Sequence, residues 1–523
     1  MSSYLFSFVP NPYAFLFATT LLAVLIIVFR AWRRLALPPG PRSRLPFGFG
    51  SSNSGIPQRS AWTEYTEWKE LYGPIATFTQ RNRRMIVLNT AQASIDLIEK
   101  RARLYSDRPR SLITELCGYD DRIFSLAHTD PRFSTHRKLF HGEFGHRFIG
   151  QHLPTQEKET RTFLRNILHD PRNFRSHVRR YAVAVIMKIA YGYTVKEDND
   201  QFVGLVQSWL EHTNAHNTKP AQWAVDSYPF LKYLPRWIPG TAFFKFADDQ
   251  RERNRELLGK PVEWVKGEMK AGRAVSSVVE RFIRRVQETK EKEGMSREEE
   301  DVVENVAGAM YLGGADTTVS ALMTFILMMA RNPCVQKRAA EEINNVVGTD
   351  RLPEVRDMER LPFVGALIKE VLRFHPVAPL ALPHRVMEDD VYEGCRIPGG
   401  ATVIVNLWSI LHDESTYPDH MTFDPERYLP NSSDSDSTKP QPDPRNYAFG
   451  IGRRICPGMH LAEISLFLII SSTLATFDIS PKKDGRGQEI EPKMEWKNGV
   501  VSVCEEFECE IRLREGRKLP VDF

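Results

Sequence analysis

The sequence predicts a mainly α-helical fold with small β-sheets, built as one large domain behind an N-terminal membrane anchor. Apolar residues recur at helical spacing from Asp130 to Ala330 and again from Val335 to Phe374. Two short apolar runs, Gly73 to Phe78 and Arg84 to Leu88, are bounded by Gly, Pro and Asn and predict a small strand pair. No strong linker divides the 523 residues after the N-terminus, so a single large unit is expected.

The N-terminal segment predicts one membrane-spanning helix. Residues 1–29 carry no charged side chain, and Tyr13 to Phe29 is a 17-residue apolar run broken only by two threonines, the lower limit for a helix that crosses a bilayer. Arginines follow at positions 30, 33 and 34, so the positive-inside rule places the rest of the chain in the cytosol. We therefore expect an anchor with its basic stop over 1–34, a proline-rich hinge over 35–50 and the main domain over 51–523.

Composition argues against a nucleic-acid partner. Lys and Arg total 70 against 66 Asp and Glu, and a net charge of +4 is too small for a chain of this size to bind a phosphate backbone. The six cysteines show no zinc-ligand or paired spacing. A reducing compartment fits that pattern best.

Cys456 lies in the most unusual run of the sequence, Phe449-Gly450-Ile451-Gly452-Arg453-Arg454-Ile455-Cys456-Pro457-Gly458. Its three glycines let the backbone approach the sulfur closely and tolerate positive φ. A helix is expected to begin after Pro457, so Cys456 would face unpaired N–H groups at the positive end of the helix dipole. That environment is expected to lower the pKa of the thiol and keep the sulfur ionised.

This run resembles the haem-binding signature of the cytochrome P450 family, and further segments of that family's pattern recur in the expected order from Pro38 to the C-terminus. The resemblance implies the cytochrome P450 fold in its microsomal, fungal-type form. It implies heme b (iron protoporphyrin IX) with the Cys456 thiolate as axial ligand. It also assigns Phe449, Gly450 and Gly458 to the cofactor site and places Arg454 at a haem propionate.

Two further arginines fall where relatives place propionate-binding residues. Arg385 lies in Pro383-His384-Arg385, and Arg137 lies in Phe133-Ser134-Thr135-His136-Arg137. The family usually has Trp where this chain has Phe133, so an indole N–H donor is missing there.

The helix predicted between Val302 and Ala330 contains Gly313-Gly314-Ala315-Asp316-Thr317-Thr318. Its two glycines cost roughly 2 kcal/mol of helix propensity, so something is expected to come close to that backbone. The segment resembles the family's distal-helix motif, which implies a hydroxyl role on the oxygen side for Thr317 and a proton-delivery role for Asp316. A threonine bonded to the preceding turn of its own helix is the structural alternative.

Glu370 and Arg373 are three residues apart, so they can pair on one helical face. They resemble the family's Glu-x-x-Arg, and Pro425-Glu426-Arg427-Tyr428 resembles the segment whose arginine completes that ion triad. The resemblance therefore assigns Glu370, Arg373 and Arg427 a structural role beneath the haem.

The implied activity is that of a monooxygenase which activates O2 and hydroxylates or otherwise oxidises a lipophilic small molecule. The chain has no glycine-rich turn of the dinucleotide-binding type, so electrons are expected from NADPH-cytochrome P450 reductase. We expect that reductase to dock on basic residues near the cysteine, such as Arg137, Lys138, Arg445 and Arg453.

By family position, the residues from Leu112 to Phe124 and around Gly313 should line the pocket, and most are small or apolar. The short N-terminal tail and the Pro-His-Arg and Phe-Gly-x-Gly-Arg-Arg variants resemble fungal members of the family that oxidise secondary metabolites. Terpenoids are the first substrate class expected, and aromatic or indolic compounds are the second. The anchor implies the endoplasmic reticulum membrane with a cytosolic catalytic domain. The aromatic segment from Trp223 to Phe246 suits either the membrane interface or core packing.

Two other functions stay open at the level of sequence. One is a haem-thiolate isomerase or dehydratase that needs no external electrons, and dependence on NADPH and reductase separates it from a monooxygenase. The other is a non-enzymatic membrane haem protein, against which a substrate-induced change in the haem spectrum would count.

Overall fold

The computed structural model describes residues 17, 20–27, 35–41, 60–80, 83–119, 122–196, 199–217, 223–289, 295–430 and 440–517. Within the predicted anchor, residues 20–27 are helical and exposed. The other residues of the run from Tyr13 to Phe29, except Phe17, lie outside the described residues, as do the three arginines that follow it and positions 42–50 of the predicted hinge.

Helices make up most of the described chain, as predicted. The α-helices are α1 Ala61–Tyr72, α2 Ala91–Ser94, α3 Ala102–Tyr105, α4 Leu112–Leu116, α5 Pro131–Phe144, α6 Leu153–His169, α7 Phe174–Tyr191, α8 Gln201–Asn217, α9 Ala242–Lys270, α10 Val278–Thr289, α11 Arg297–Arg331, α12 Pro333–Val347, α13 Pro362–Phe374, α14 Leu407–Leu411, α15 Arg445–Ala448 and α16 Met459–Thr476. A π-helical turn, Ile95–Lys100, links α2 to α3. Short 3₁₀ turns lie at Ile149–His152, Pro171–Asn173, Ala224–Asp226, Pro229–Tyr233, Val355–Arg360, Pro425–Tyr428 and Gly452–Arg454.

The strands form three small sheets. The largest is four-stranded, in the order β1-β2-β6-β3, and the others pair β4 with β5 and β7 with β8 and β9. The strands are β1 Ile75–Gln80, β2 Arg83–Leu88, β3 His384–Arg385, β4 Asp390–Tyr392, β5 Cys395–Ile397, β6 Thr402–Val405, β7 Phe477–Lys483, β8 Glu489–Ile490 and β9 Cys509–Leu513. The predicted pair is confirmed: β1 and β2 are antiparallel, with Ile75 opposite Leu88.

The core is centred on α11, which runs alongside α7 and also contacts α5 and α16. A capping box between Ser296 and Glu299 satisfies N–H groups at its start. Every residue from Val319 to Ala330 is buried, because neighbouring elements cover this half of the helix on all sides.

Two helices of the described chain, α11 and α16, are long and apolar enough to cross a membrane. Both are mostly buried inside the fold, so their apolar length is explained by the core.

The start of the predicted hinge packs on the sheet. The N–H of Thr77 in β1 donates to the carbonyl of Pro39 at 2.9 Å. A Cβ at Gly40 would lie 1.8 Å from the Thr77 carbonyl oxygen, so only glycine permits this approach. Residues 38–41 are therefore part of the folded domain's surface.

Candidate active site

The loop before α16 turns sharply around Cys456. Gly450 and Gly452 have φ of 85° and 64°, and a Cβ at Gly452 would lie 2.8 Å from the Ile98 carbonyl oxygen. The Cys456 N–H donates to the Phe449 carbonyl at 2.7 Å, which closes the loop. Gly458 has φ of −95° and is the N-cap of α16. Positive φ is thus required at two of the three glycines.

The Cys456 thiol is not pre-ionised by the chain, contrary to the expectation from sequence. Burial raises its pKa above the ordinary value, and the opposing effects of the Gly458 N–H and the Arg137 charge are smaller. A bound metal ion deprotonates a coordinating thiol outright. A thiolate at this position would therefore depend on a bound metal ion as well as on the loop.

Arg454 points from the cysteine loop into the segment before α5. Its guanidinium donates to the carbonyls of Ser106, Ile123 and Leu126 at 2.8, 3.2 and 2.5 Å. The centroid of the Phe133 ring lies 4.1 Å from the Arg454 guanidinium carbon. The phenyl face therefore contacts the cation at the position where the family usually has Trp. Burial lowers the pKa of Arg454 to about 10, so it stays charged at neutral pH.

Arg137 lies beside the cysteine. Its Nη1 donates to the Ile455 carbonyl at 2.7 Å, and its charge lowers the pKa of Cys456. The contact that the structure gives Arg137 is therefore with the cysteine loop.

Arg385 meets an aspartate that sequence reasoning did not single out. Its Nη1 lies 3.1 Å from Asp107 Oδ2, and its backbone N–H donates to the Asp107 carbonyl at 2.9 Å. Pairing with Thr402 in β6 fixes the position of β3, and hence of Arg385.

Arg108 is a second residue that sequence reasoning missed. It is buried, and its Nη1 donates to the carbonyls of Leu382 and Pro383 at 2.6 and 2.7 Å. Burial and the Arg454 charge lower its pKa to about 9. In the sequence, Asp107-Arg108-Pro109 has the adjacent opposite charges and proline of a solvated turn, so no local signal marks it.

These residues form a cationic cluster that fits the two propionates of a haem. Arg108, Arg385 and Arg454 stand against one carboxylate, Asp107, so two positive charges have no counter-charge among the described residues. The excess positive charge also affects neighbouring His384. Burial, and after it the charges of Arg108 and Arg454, lower the pKa of His384 to about 3. Two carboxylates would balance the cluster.

The two glycines in the middle of α11 differ in how tightly their surroundings pack. A Cβ at Gly314 would lie 3.1 Å from Ile186 of α7, so that glycine is explained by close helix packing. A Cβ at Gly313 would come no closer than 3.9 Å to any neighbour, and that neighbour is Phe124. The expectation that something approaches this backbone therefore holds at Gly314, whereas a methyl group at Gly313 would make only an ordinary van der Waals contact with Phe124.

Asp316 and Thr317 lie about one turn along from Gly313 and are partly exposed, unlike Val319 to Ala330 of the same helix. Desolvation raises the pKa of Asp316 to about 6, and the charge of Arg179 opposes the shift. The Thr317 hydroxyl donates to the Gly313 carbonyl at 2.6 Å, the contact of the structural alternative. Its oxygen lone pairs remain available as acceptors.

Phe124 and its neighbour Ile123 connect the two halves of the site. The Ile123 carbonyl accepts from Arg454, two residues before Cys456, while Phe124 faces Gly313. This segment thus links the cysteine loop to the middle of α11.

Glu370, Arg373 and Arg427 are in direct contact and buried. Arg373 binds both carboxylate oxygens of Glu370 at 2.7 Å, and Arg427 Nε lies 3.2 Å from Glu370 Oε1. The Asp424 N–H and the Tyr428 hydroxyl also donate to Glu370, at 2.9 and 3.2 Å. This carboxylate is therefore fully satisfied in the interior.

Comparison with known proteins agrees with this geometry. The cytochrome P450 family model matches residues 38–508. Cytochrome P450 monooxygenase claR of Ampulloclitocybe clavipes is 41% identical over 492 residues, covering 92% of this chain and 88% of the relative. Cytochrome P450 monooxygenase 208 of Postia placenta is 37% identical over 503 residues, covering 95% of each chain.

A solved structure has the same fold. A zebrafish cytochrome P450 determined with abiraterone superposes with a TM-score of 0.67 at 22% identity, over 87% of this chain and all of that one. The chain belongs to the cytochrome P450 family and is a monooxygenase whose haem is held by a cysteine thiolate.

Proposed function

We propose that this monooxygenase takes electrons from a membrane-bound NADPH-cytochrome P450 reductase and hydroxylates a lipophilic small molecule, with terpenoids as the first substrate class. The observation that carries the proposal is that Gly313, Asp316 and Thr317 are partly exposed in the middle of α11, and that Ile123 and Phe124 link this stretch to the cysteine loop. A partly exposed stretch with a proton-exchanging carboxylate suits oxidation of a bound substrate.

A bound haem would supply dioxygen activation and the insertion of one oxygen atom into a C–H bond, with the other atom leaving as water. In this proposal Cys456 would ligate the iron, and Arg454, Arg385, Arg137 and Arg108 would hold the propionates.

Asp316 and Thr317 handle protons in this proposal. A pKa of about 6 lets Asp316 take up and release a proton near neutral pH. Thr317 keeps its own hydrogen on the Gly313 carbonyl, so its oxygen can accept a hydrogen bond from a group in the site.

Fewer basic residues are available for reductase docking than the four expected from the sequence. Arg445 pairs with Asp443 and Glu463, and Arg137 donates to the Ile455 carbonyl. Lys138 and Arg453 are exposed, and no carboxylate of the described chain pairs with either. These two side chains are our candidates for contact with an acidic partner.

Membrane attachment is supported at two places. Residues 20–27 are helical, and six apolar side chains there are exposed. A second apolar surface consists of Tyr228, Phe230, Tyr233 and Trp237, which are 52–82% exposed. We name this second surface the aromatic loop, and Lys232 and Arg236 flank it as interfacial cations do. We propose residence in the endoplasmic reticulum membrane with the catalytic domain in the cytosol.

The test uses microsomes that contain the full chain and a reductase, fed with a panel of sesquiterpene hydrocarbons and indoles. We expect products that gain one oxygen atom from labelled O2, only when NADPH and reductase are both present. Cys456→Ser should abolish both the products and the carbon-monoxide spectrum of thiolate-ligated ferrous haem. Cys395→Ser is the control, because it removes a partly exposed thiol outside the site. Conversion without NADPH would instead indicate an isomerase or dehydratase.

A further inference from the structure

Arg122 is a buried cation that no carboxylate of the described residues accompanies. The residue is 3% exposed, and no carboxylate of the described chain forms an ion pair with it. Burial lowers its pKa to about 10, so the guanidinium is still protonated at neutral pH. Tyr119 and Cys117, whose ionisation would compensate it, are neutral, because burial raises the pKa of each to about 12.

Neutral groups surround the guanidinium instead. Its Nη2 donates to Asn254 Oδ1 at 2.6 Å, and the same oxygen accepts from Trp209 Nε1 at 2.8 Å. The rings of Tyr119 and Trp209 lie 4.6 and 5.5 Å from the Arg122 guanidinium carbon. Gln250 hydrogen-bonds Tyr119. We name these five residues the polar cluster.

The polar cluster is incompletely satisfied. Arg122 Nε is buried without a hydrogen-bond acceptor, and Gln250 Oε1 is buried without a donor, among the described residues. An amide oxygen and two aromatic faces compensate a buried charge only partly. A group that brought an acceptor oxygen and a negative charge would complete the cluster.

The polar cluster lies next to the segment that links the cysteine loop to α11. Arg122 is followed directly by Ile123, whose carbonyl binds Arg454, and by Phe124, which faces Gly313. The Cα atoms of Arg122 and Phe124 are at most about 7 Å apart along the chain. Trp209 and Asn254 bring in α8 and α9, so three separate segments build the cluster.

We propose that the polar cluster is a substrate subsite in which Arg122 binds the carboxylate of a lipophilic acid, holding its apolar remainder toward Gly313 and Thr317. This assignment deepens, and rests on, the proposed oxidation of a lipophilic molecule. It narrows the substrate class to compounds that carry an acid group remote from the oxidised carbon.

The test compares two probes of similar shape, dodecanoate and dodecan-1-ol, on the haem-loaded full chain without NADPH or reductase. Binding is followed by calorimetry and by the change in the haem spectrum. We expect dodecanoate to bind about tenfold or more tightly than the alcohol. Arg122→Gln should remove that preference and leave alcohol binding within about twofold. Arg251→Gln removes an exposed cation of α9 and is the control; it should change neither the acid preference nor the binding of the alcohol.

A second variant keeps Arg122 in place. Asn254→Asp would put a carboxylate 2.6 Å from Arg122 Nη2, so the internal charge should displace the acid and again leave the alcohol unaffected. Arg122→Lys should retain part of the acid preference. Equal affinity of wild type for the two probes, or an acid preference that survives Asn254→Asp, overturns the subsite. Because these measurements need no turnover, they separate this inference from the proposed oxidation, which fails only if oxygen is not inserted.

Discussion

Arg108 and Arg454 lie in one largely buried cluster in which the charge of Arg454 lowers the pKa of Arg108. The one carboxylate that the described residues place beside them, Asp107, pairs with Arg385. Like charges are held together in the interior only when something opposes their repulsion. Haem propionates are the groups that would do so here.

Arg108→Met should therefore have opposite effects on the two forms of the protein. Without haem, removing a buried cation should raise the free energy of unfolding by about 1–3 kcal/mol. With haem, the variant should lose the porphyrin more quickly, because one propionate lacks a partner. Thermal unfolding of both forms and haem transfer to apomyoglobin measure this. Arg103→Met, on exposed surface of α3, is the control, and a destabilised haem-free variant would contradict the idea.

Glu370→Gln should prevent stable haem incorporation. The change leaves Arg373 and Arg427 buried with no carboxylate between them, which costs about 3–5 kcal/mol of unfolding free energy. Denaturant unfolding and the yield of the carbon-monoxide complex check it. Glu252→Gln is the control, because it removes an ion pair of the same three-residue spacing, Glu252 with Arg255, that is mostly exposed. Its loss should cost at most about 1 kcal/mol of unfolding free energy. Equal losses in both variants would show that burial is not the cause.

Asp316→Asn should change stability in a pH-dependent way. Because desolvation raises the pKa of Asp316 from 3.8 to about 6, the folded state binds its proton more tightly than the unfolded state, and wild-type stability falls as pH rises through that window. The variant should be more stable than wild type by roughly 1–3 kcal/mol at pH 8, where the carboxylate is charged, and no more stable near pH 4.

NADPH-dependent turnover of Asp316→Asn should fall, since the amide cannot relay a proton. Asp301→Asn, an exposed acid on the same helix, should shift neither property. A stability gain of equal size at both pH values would rule out the titration of Asp316 as its source.

Charge reversal of Lys138 and Arg453 should weaken electron transfer from the reductase. Reductase-supported turnover should drop several-fold at low salt and approach wild type at high salt, because screened charges contribute less. Turnover driven by peroxide bypasses the partner and should be unchanged. Lys270→Glu reverses an exposed charge at the end of α9 and serves as control. Unaltered turnover and salt dependence in the double variant would exclude this docking surface.

The aromatic loop should enter the membrane interface. In vesicles that contain the full chain, with Cys334 changed to Ser, a polarity-sensitive dye on Trp237→Cys should report an apolar environment. The same dye on Met421→Cys, an exposed apolar position on another surface, should report water. Trp237 is 82% exposed, and lipid contact would remove this apolar surface from water. Water-like emission at both positions would leave the loop without a membrane role.

Much of the fold and of the candidate site was predicted from short stretches of consecutive sequence. The ten residues around Cys456 and the three-residue spacing of Glu370 and Arg373 are properties of consecutive sequence, because a turn or one helical face is defined over a few residues. The mainly helical fold and the strand pair followed from periodicity in the same way.

Other features depended on which elements meet. The Cys456 thiol was expected to have a lowered pKa, yet burial by the surrounding fold outweighs the helix N-terminus. Arg445 was expected to be available for docking, yet Asp443 and Glu463 pair with it. Burial and pairing between distant segments are not visible in the residues next to each group.

By itself the sequence determined the helical class and the close approach at Gly314, and it predicts Cys456 as the haem ligand, since each rests on a local pattern with its own chemistry. Tertiary structure alone decided that Arg108 joins Arg454 and that Arg122 is enclosed by α8 and α9. Nothing local distinguishes those arginines from solvated ones; the cost of burying a charge arises only when the chain folds around it.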